Sequence, residues 1–576
     1  MGRGRLGRLR GDLGVKPKPA SRVLGVGAAL VPVLLLLAVV APGAGAVIFP
    51  QPAAAPVVSG VSPSSGPAAG GTLVTVSGSG FTGAAAVDFG GTAAASFWVV
   101  SDSQLAAVSP AGSPGTVDVT VTTPDGTSAA GPADQFTFVA APIRHIVVLM
   151  QENHTFDSEL GYWCDQNPGR CTGLPATVTL ADKTVVTPGV TPDTVPDVAH
   201  SVKEQNLALR GNWDQIPGCS ASTGYACISG YPPAVVPNLA ALAGRYTLLD
   251  HAFTLANSPS WGGHLDEFLG NTDGFTGDNP VHDKTQPPGS KDWGCDSYDL
   301  AAYGLGATVT HYPSCVPDYN LDPSLYPHGG AFEATPVQQE TSVLQEMDAA
   351  GVSWKIYSGR PSSNGSAWAG WSGCPSLASC LDTPELSNLT GSPQQFFTDA
   401  AAGTLPAVSF IMPSGAAKLG GKTFYYAADS QHNLQSNAAG DNFVGQVASA
   451  LAASPDWSSS ALIITYDDCG CFYDQVPPPL APDGRHMGFR VPFIIVSPYA
   501  LQAHTDTTPT SSTGSILAFI EADFGLPALG RNDAAADNLM GDFNLGQQPA
   551  AMPRMTSQPL PASAYRLSPG TAKDPT

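Results

Sequence analysis

A short apolar run of strand character, residues 146–150 (IVVLM), stops abruptly at Gln151, Glu152 and Asn153. In an open α/β sheet, ligands collect at the carboxyl ends of the strands. Adjacent oxygen-bearing side chains at such an end suit a hard cation or a phosphate. A second run does the same far along the chain: residues 461–466 (ALIITY) end in Asp467 and Asp468. Two strand ends, each delivering oxygen ligands, read as one metal site.

The rest of the chain supports a sheet around those two strands. From Ile143 onward, strand-like runs at 146–150, 352–357, 407–412, 461–466 and 491–497 alternate with helical patterns at 342–350, 442–453 and 514–524. Residues 442–453 set Phe443, Val447 and Leu451 on one face, and Gly525 ends the last pattern. This alternation predicts an α/β fold, a mostly parallel sheet flanked by helices on both faces. Residues 164–237 and 359–379 show little periodicity and read as long loops shaping a cleft. Residues 56–139 differ: short alternating strands separated by Gly, Pro, Ser and Asp turns predict a separate all-β sandwich. They contain no His, and their acids are scattered, so they offer no catalytic group. A three-residue linker, 140–142, joins the two, and the Pro- and Ser-rich tail 546–576 reads as disordered.

The amino terminus reads as an export signal. Seven basic residues precede the apolar stretch 23–40, and Ala44-Gly45-Ala46 fits a cleavage site. The alternative is an uncleaved membrane anchor, because the apolar stretch approaches spanning length. Residues 1–46 hold 7 of the 25 basic and 1 of the 47 acidic residues, so the remainder carries 18 against 46, a net of −28. Such a surface disfavours nonspecific nucleic-acid binding. All ten cysteines lie after residue 160, and their close spacings suggest local disulfides at 164–171, 219–227, 295–315 and 374–380. No CxxC pair favours zinc. The redox state of Cys469 and Cys471 is left open, since a bridge across one residue is strained.

Two families are recognisable in particular residues. Val61-Ser-Pro-Ser-Ser-Gly-Pro-Ala-Ala-Gly-Gly-Thr72, with Gly78-Ser-Gly-Phe81, Val87-Asp-Phe-Gly-Gly91 and Gln135-Phe-Thr-Phe138, resembles the IPT/TIG immunoglobulin-like family, which implies a spacer or binding module. Gln151-Glu-Asn-His-Thr-Phe-Asp157, Thr465-Tyr-Asp-Asp468 with the following Cys-Gly-Cys-Phe-Tyr-Asp474, Arg490-Val-Pro-Phe493 and Ser515-Ile-Leu-Ala-Phe-Ile-Glu521 resemble the bacterial phosphoesterase family of phospholipases C and acid phosphatases. That second resemblance spans about 143–545 and implies an alkaline-phosphatase-like fold.

The resemblance implies metal ligands Glu152, Asn153, Asp467, Asp468 and the nucleophile Ser260 of Pro259-Ser260. Such an oxygen set suits one divalent ion, Ca²⁺ or Mg²⁺. Ser260 also reads as the N-cap of a following helix, whose free N–H groups would favour a phosphate. His432 and His200 match active-site histidines that hold phosphoryl oxygens or protonate the leaving group, with His264 a further candidate. His154 and His251 read as structural. Where the family commonly has Gly-Gly-Phe-Tyr-Asp-His, this chain ends in Gln475, which leaves the role of Asp474 open. The expected activity is a secreted, metal-dependent phosphoric ester hydrolase with a phosphoseryl intermediate. A phosphomonoesterase is placed slightly ahead of a phospholipase C, whose phospholipid head groups would bring transient contact with a membrane surface. A sulfatase would need a C/S-x-P-x-R context, which Ser260-Trp-Gly-Gly-His264 lacks, and a non-enzymatic adhesin would not need the intact site residues.

Overall fold

The computed structural model describes residues 54–565. Its gaps are 69, 140–142, 272–280, 283–298, 304–309, 314–340, 359–372, 482–485, 509–510, 546, 548 and short interruptions between 374 and 427. The expected export signal, the linker, Cys295, Cys315 and Cys374 lie outside the described residues.

Residues 57–139 form two antiparallel-based sheets. One has the order 57–62, 73–79, 104–108, 96–101; the other is built on 135–139, 115–123 and 86–89. Alternation along these strands turns Val74, Val76, Leu105, Val119 and Val121 inward. Phe89, Phe136 and Phe138 fill the space between them, with edge-to-face contacts at 5.2 Å.

The larger part is a seven-stranded sheet. In chain order its strands are β1 (His145–Gln151), β2 (Thr247–Leu249), β3 (Trp354–Tyr357), β4 (Val408–Ile411), β5 (Ser460–Tyr466), β6 (Ile494–Val496) and β7 (Thr505–Asp506). The spatial order is β3-β4-β1-β5-β6-β2-β7. Most neighbours are parallel, but β6 runs antiparallel to both β5 and β2. Strands β1 and β5, at the centre, are almost wholly buried, as expected for strands covered on both faces.

The helices are α1 (Phe156–Gln166), α2 (Val202–Ala208), α3 (Pro237–Arg245), α4 (Ser260–Leu269), α5 (Val343–Ala350), α6 (Gln394–Ala402), α7 (Asn437–Ala453) and α8 (Gly514–Phe524). They pack in two sets, α7 against α3 and α6, and α4 against α5 and α8. Helix α7 starts five residues earlier than its apolar face suggests, because the Ser436 side chain caps it on Ala439 N.

Two expectations need correction. The stretch 164–237 is not a plain loop: it carries α2 and short strands, and it closes a second apolar cluster of Trp213, Ile216, Cys219, Cys227, Phe472 and Phe489. Nor is the tail disordered throughout. Residues 549–565 lie along the domain, held by Ala550 N to Pro498 O (2.7 Å), Thr556 N to Asn238 Oδ1 (2.6 Å) and Gln558 N to Asn442 Oδ1 (2.7 Å). Met552 and Met555 also pack on the core. Polar composition suggested disorder, but side-chain amides on α3 and α7, Asn238 and Asn442, supply the partners that order this strap.

Disulfides join Cys164 to Cys171 and Cys219 to Cys227. Cys469 and Cys471 are buried thiols. Among the described residues, no helix is long and apolar enough to cross a membrane.

Candidate functional site

Parallel pairing places Gln151 opposite Tyr466, so Glu152-Asn153 and Asp467-Asp468 leave the sheet side by side. The two turns then lock together. Asn153 N donates to Asp467 Oδ1 at 2.9 Å, Asp468 N to the same oxygen at 2.7 Å, and Gly470 N to Asp468 Oδ1 at 2.6 Å. Asn153 holds φ at +60°, a left-handed conformation that Asn tolerates better than most residues. Such strain gathers at functional sites.

Glycines permit the closeness. A Cβ on Gly470 would stand 2.2 Å from Asn153 O, and one on Gly263 would stand 2.5 Å from Asp467 O. Helix α4 can cross this sheet edge only because position 263 has no side chain.

That helix delivers Ser260. The cap position is Pro259, and Ser260 is the first helical residue, which corrects the N-cap expectation. Its hydroxyl does not serve its own helix. It faces Asp468 Oδ2 at 3.3 Å and Asn153 Oδ1 at 3.4 Å. The positive end of the α4 dipole lies at the same point.

One turn on, His264 Nε2 lies 3.4 Å from Glu152 Oε1 and 3.9 Å from Asp467 Oδ2, while Nδ1 lies 3.7 Å from Glu267 Oε2. Burial opposes its charge, but Glu152 and Glu267 prevail and push its pKa up to about 10. Burial, with repulsion from Glu152, pushes Asp467 up to about 7; burial, with repulsion from Asp467, does the same to Asp468.

The donor set fits a cation. Glu152 Oε2 and Asp467 Oδ2 are buried without a hydrogen-bond partner, a costly state for anionic oxygens. Ligand atoms of Glu152, His264 and Asp467 lie within 4.8 Å of one another. Asn153 and Asp468, the chain neighbours of Glu152 and Asp467, both face Ser260 Oγ, and with these the donors are mostly hard oxygen with one imidazole nitrogen.

The histidines divide by their bonds. Asn153 Nδ2 lies 2.8 Å from His200 Nε2, and His200 Nδ1 lies 3.0 Å from Val198 O. An amide NH₂ can only donate, so Nε2 accepts and Nδ1 carries the proton to Val198. His200 thereby turns the Asn153 carboxamide so that Oδ1 faces Ser260. Asn433, whose Nδ2 donates to Val198 O at 2.6 Å, steadies that loop. His432 stands beside it, ring centres 5.9 Å apart, with Nδ1 3.3 Å from Asn433 O.

Other motif residues belong to the framework. Asp474 pairs with Arg490 at 3.1 Å, and Arg490 also binds Asp157 and Asp250, each at 2.8 Å. His154 is buried among Tyr231, Tyr466 and Phe472 and faces Glu159 at 3.3 Å. Burial drives its pKa down to about 3. His251 is partly exposed, 3.9 Å from Asp250. Sequence reasoning missed Glu267, Gly263, Gly470 and Asn433. Only Glu267 left a signal, three residues after His264 on one helix.

Comparison with known proteins agrees with both resemblances. Residues 56–138 match the IPT/TIG domain. Phospholipase C B of Mycobacterium tuberculosis is 24% identical over 493 residues, covering 73% of this chain and 83% of that protein. Phospholipase C A of the same organism is 27% identical over 259 residues, covering 39% of this chain and 47% of its own length, so the chain spans about half of that relative. Non-specific phospholipase C1 of Arabidopsis thaliana is 31% identical over 173 residues, 26% of this chain and 32% of that protein. The match to the phosphoesterase family itself runs from residue 143 to 527, across every strand of the sheet and the whole site. The chain therefore belongs to the phosphoesterase family.

Proposed function

We propose that this protein is a metal-dependent phosphoric ester hydrolase in which Ser260 is the nucleophile. The observation that carries the reading is Ser260 Oγ within 3.4 Å of both Asn153 Oδ1 and Asp468 Oδ2, with two orphaned carboxylate oxygens on the neighbouring Glu152 and Asp467. Glu152, Asn153, Asp467, Asp468 and Ser260 would hold one Ca²⁺ or Mg²⁺, with His264 at hand. When bound, the ion supplies positive charge that favours the serine alkoxide and neutralises phosphoryl oxygens.

The chain's own groups do the rest. Ser260 Oγ, losing its proton toward Asp468 Oδ2, attacks phosphorus in line. The α4 N-terminus favours the anionic phosphoryl group, and the P–O bond to the leaving alcohol breaks. His432 protonates that alcohol, since His200 has its Nε2 lone pair committed to Asn153. Water then hydrolyses the phosphoseryl ester and frees Ser260. His200 is a positioning residue.

The phospholipase C relatives favour a phosphodiester of the phospholipid head-group type. A phosphomonoester is the second reading, favoured by serine rather than threonine as nucleophile. The Cys164–Cys171 and Cys219–Cys227 disulfides and the pattern of residues 1–46 support export. The test is a panel of a soluble phosphomonoester, a soluble phosphodiester and phosphatidylcholine, with and without chelator. Chelator-sensitive release of phosphocholine is expected. Turnover of any of them that survives complete metal removal would overturn the reading.

A further inference from the structure

Away from this site, at the far edge of the sheet, β7 ends in Asp506. The chain that follows α8 returns there with Asp537 and with Asp542, the last residue of a short 3₁₀ turn, 540–542. One carboxylate oxygen from each of the three lies within 4.8 Å of the other two. Acidic groups cluster on many surfaces without consequence, but Asp542 is not at the surface. It is 3% exposed. Its Oδ1 faces His504 Nε2 at 3.8 Å, beyond hydrogen-bond reach, and its Oδ2 is buried with no hydrogen-bond partner.

The other two acids are held by hydrogen bonds, Asp537 accepting from the backbone N–H groups of Asn538 and Leu539. Asp506 Oδ1 accepts from Thr508 N and Thr508 Oγ1 at 2.8 and 2.6 Å, contacts that orient the carboxylate and cancel no charge. Burial, Asp506 and Asp537 together push the Asp542 pKa up to about 8. Three carboxylates have been drawn together, one of them in a dry position, with a half-exposed imidazole as the nearby base.

We infer that Asp506, Asp537 and Asp542 form a second site for a hard divalent cation that clamps the sheet edge to the chain leaving α8. A set made only of carboxylates suits a hard divalent cation such as Ca²⁺. Partly exposed Asp506 and Asp537 leave room for the waters that complete six to eight ligands. The clamp closes on a junction the backbone already makes, where Asp542 O accepts from Leu501 N at 2.8 Å and Asp506 O from Asp250 N at 2.8 Å. Its role is stability, because none of the three acids is among the residues placed around Ser260.

The test uses the full chain after metal depletion. Calcium titration followed by calorimetry should show one more bound equivalent in wild type than in Asp537→Asn. Wild type should melt about 5 °C higher in millimolar Ca²⁺ than the variant does, with turnover at saturating metal unchanged. Equal stoichiometry and equal calcium-dependent melting in the two proteins would overturn the site. Should Asp537→Asn fail to fold, crystals of wild type soaked in Tb³⁺ decide. An anomalous peak among the three carboxylates is expected, and an empty position there beside an occupied catalytic site overturns the inference.

Discussion

Two buried groups of acids in this protein are treated in opposite ways. Asp157, Asp250 and Asp474 surround Arg490, whose guanidinium reaches all three at 2.8 to 3.1 Å and stacks on Phe156 at 4.1 Å. Glu152, Asp467 and Asp468 have instead His264, at 3.4 Å from Glu152 and 3.9 Å from Asp467, and they retain oxygens with no partner. The first group carries its own cation in a fork that matches carboxylates. The second leaves room for one from outside. Burial and charge alone do not distinguish framework from site; the distance and directionality of the internal cation do.

The largest effect that would break this comparison is at Arg490. Arg490→Met should leave no folded protein by circular dichroism or protease resistance. Breaking a buried ion pair costs about 3–5 kcal/mol, and three such losses approach the whole stability of a domain, about 5–15 kcal/mol. A folded, soluble Arg490→Met would mean that the three acids are neutralised in some other way.

Paired amide substitutions sharpen it. In chelator at pH 8, Asp474→Asn should lower the melting temperature, because an amide NH₂ then confronts Arg490. Asp467→Asn should hold or raise it, because it removes one of the repelling carboxylates whose pKa burial and Glu152 lift to about 7. In metal the order of harm reverses: Asp467→Asn should lose turnover by about a thousandfold or more. Melting curves that fall equally for both would show that Asp467 too is matched by a fixed internal charge.

A smaller, pH-dependent effect comes from Glu159, buried beside Asn437, Gln431 and His154. Burial raises its pKa to about 8. The folded state therefore holds a proton that the unfolded state releases near pH 4.5, and stability declines as pH rises from there toward 8. Glu159→Gln should flatten the melting temperature across that window. An unchanged slope would assign the dependence to other buried acids.

Much of this was legible in the sequence because the informative units are contiguous. Residues 146–150 and 461–466 announce buried strands, and the oxygen donors follow them at once. The β-module was equally plain from its alternation and turns. What was hidden is short or distant. Strands β2 and β7 have three and two residues, too few for periodicity. The reversed direction of β6 leaves no mark in its composition. Arg490 meets Asp157 across 333 positions and Asp250 across 240, so the role of Asp474 stayed open without its partner in view. The need for glycine at 263 and 470 arises only when two elements touch.

Ser260 as the attacking group is tested by rapid acid quench of the metal-loaded wild-type enzyme with a substrate labelled at phosphorus, followed by peptide mapping. Label is expected on Ser260, approaching one equivalent per chain, and none in Ser260→Ala, which should fold normally and lose turnover by at least about a thousandfold. Label on a histidine, or wild-type turnover in Ser260→Ala, would contradict it and would leave activated water as the nucleophile.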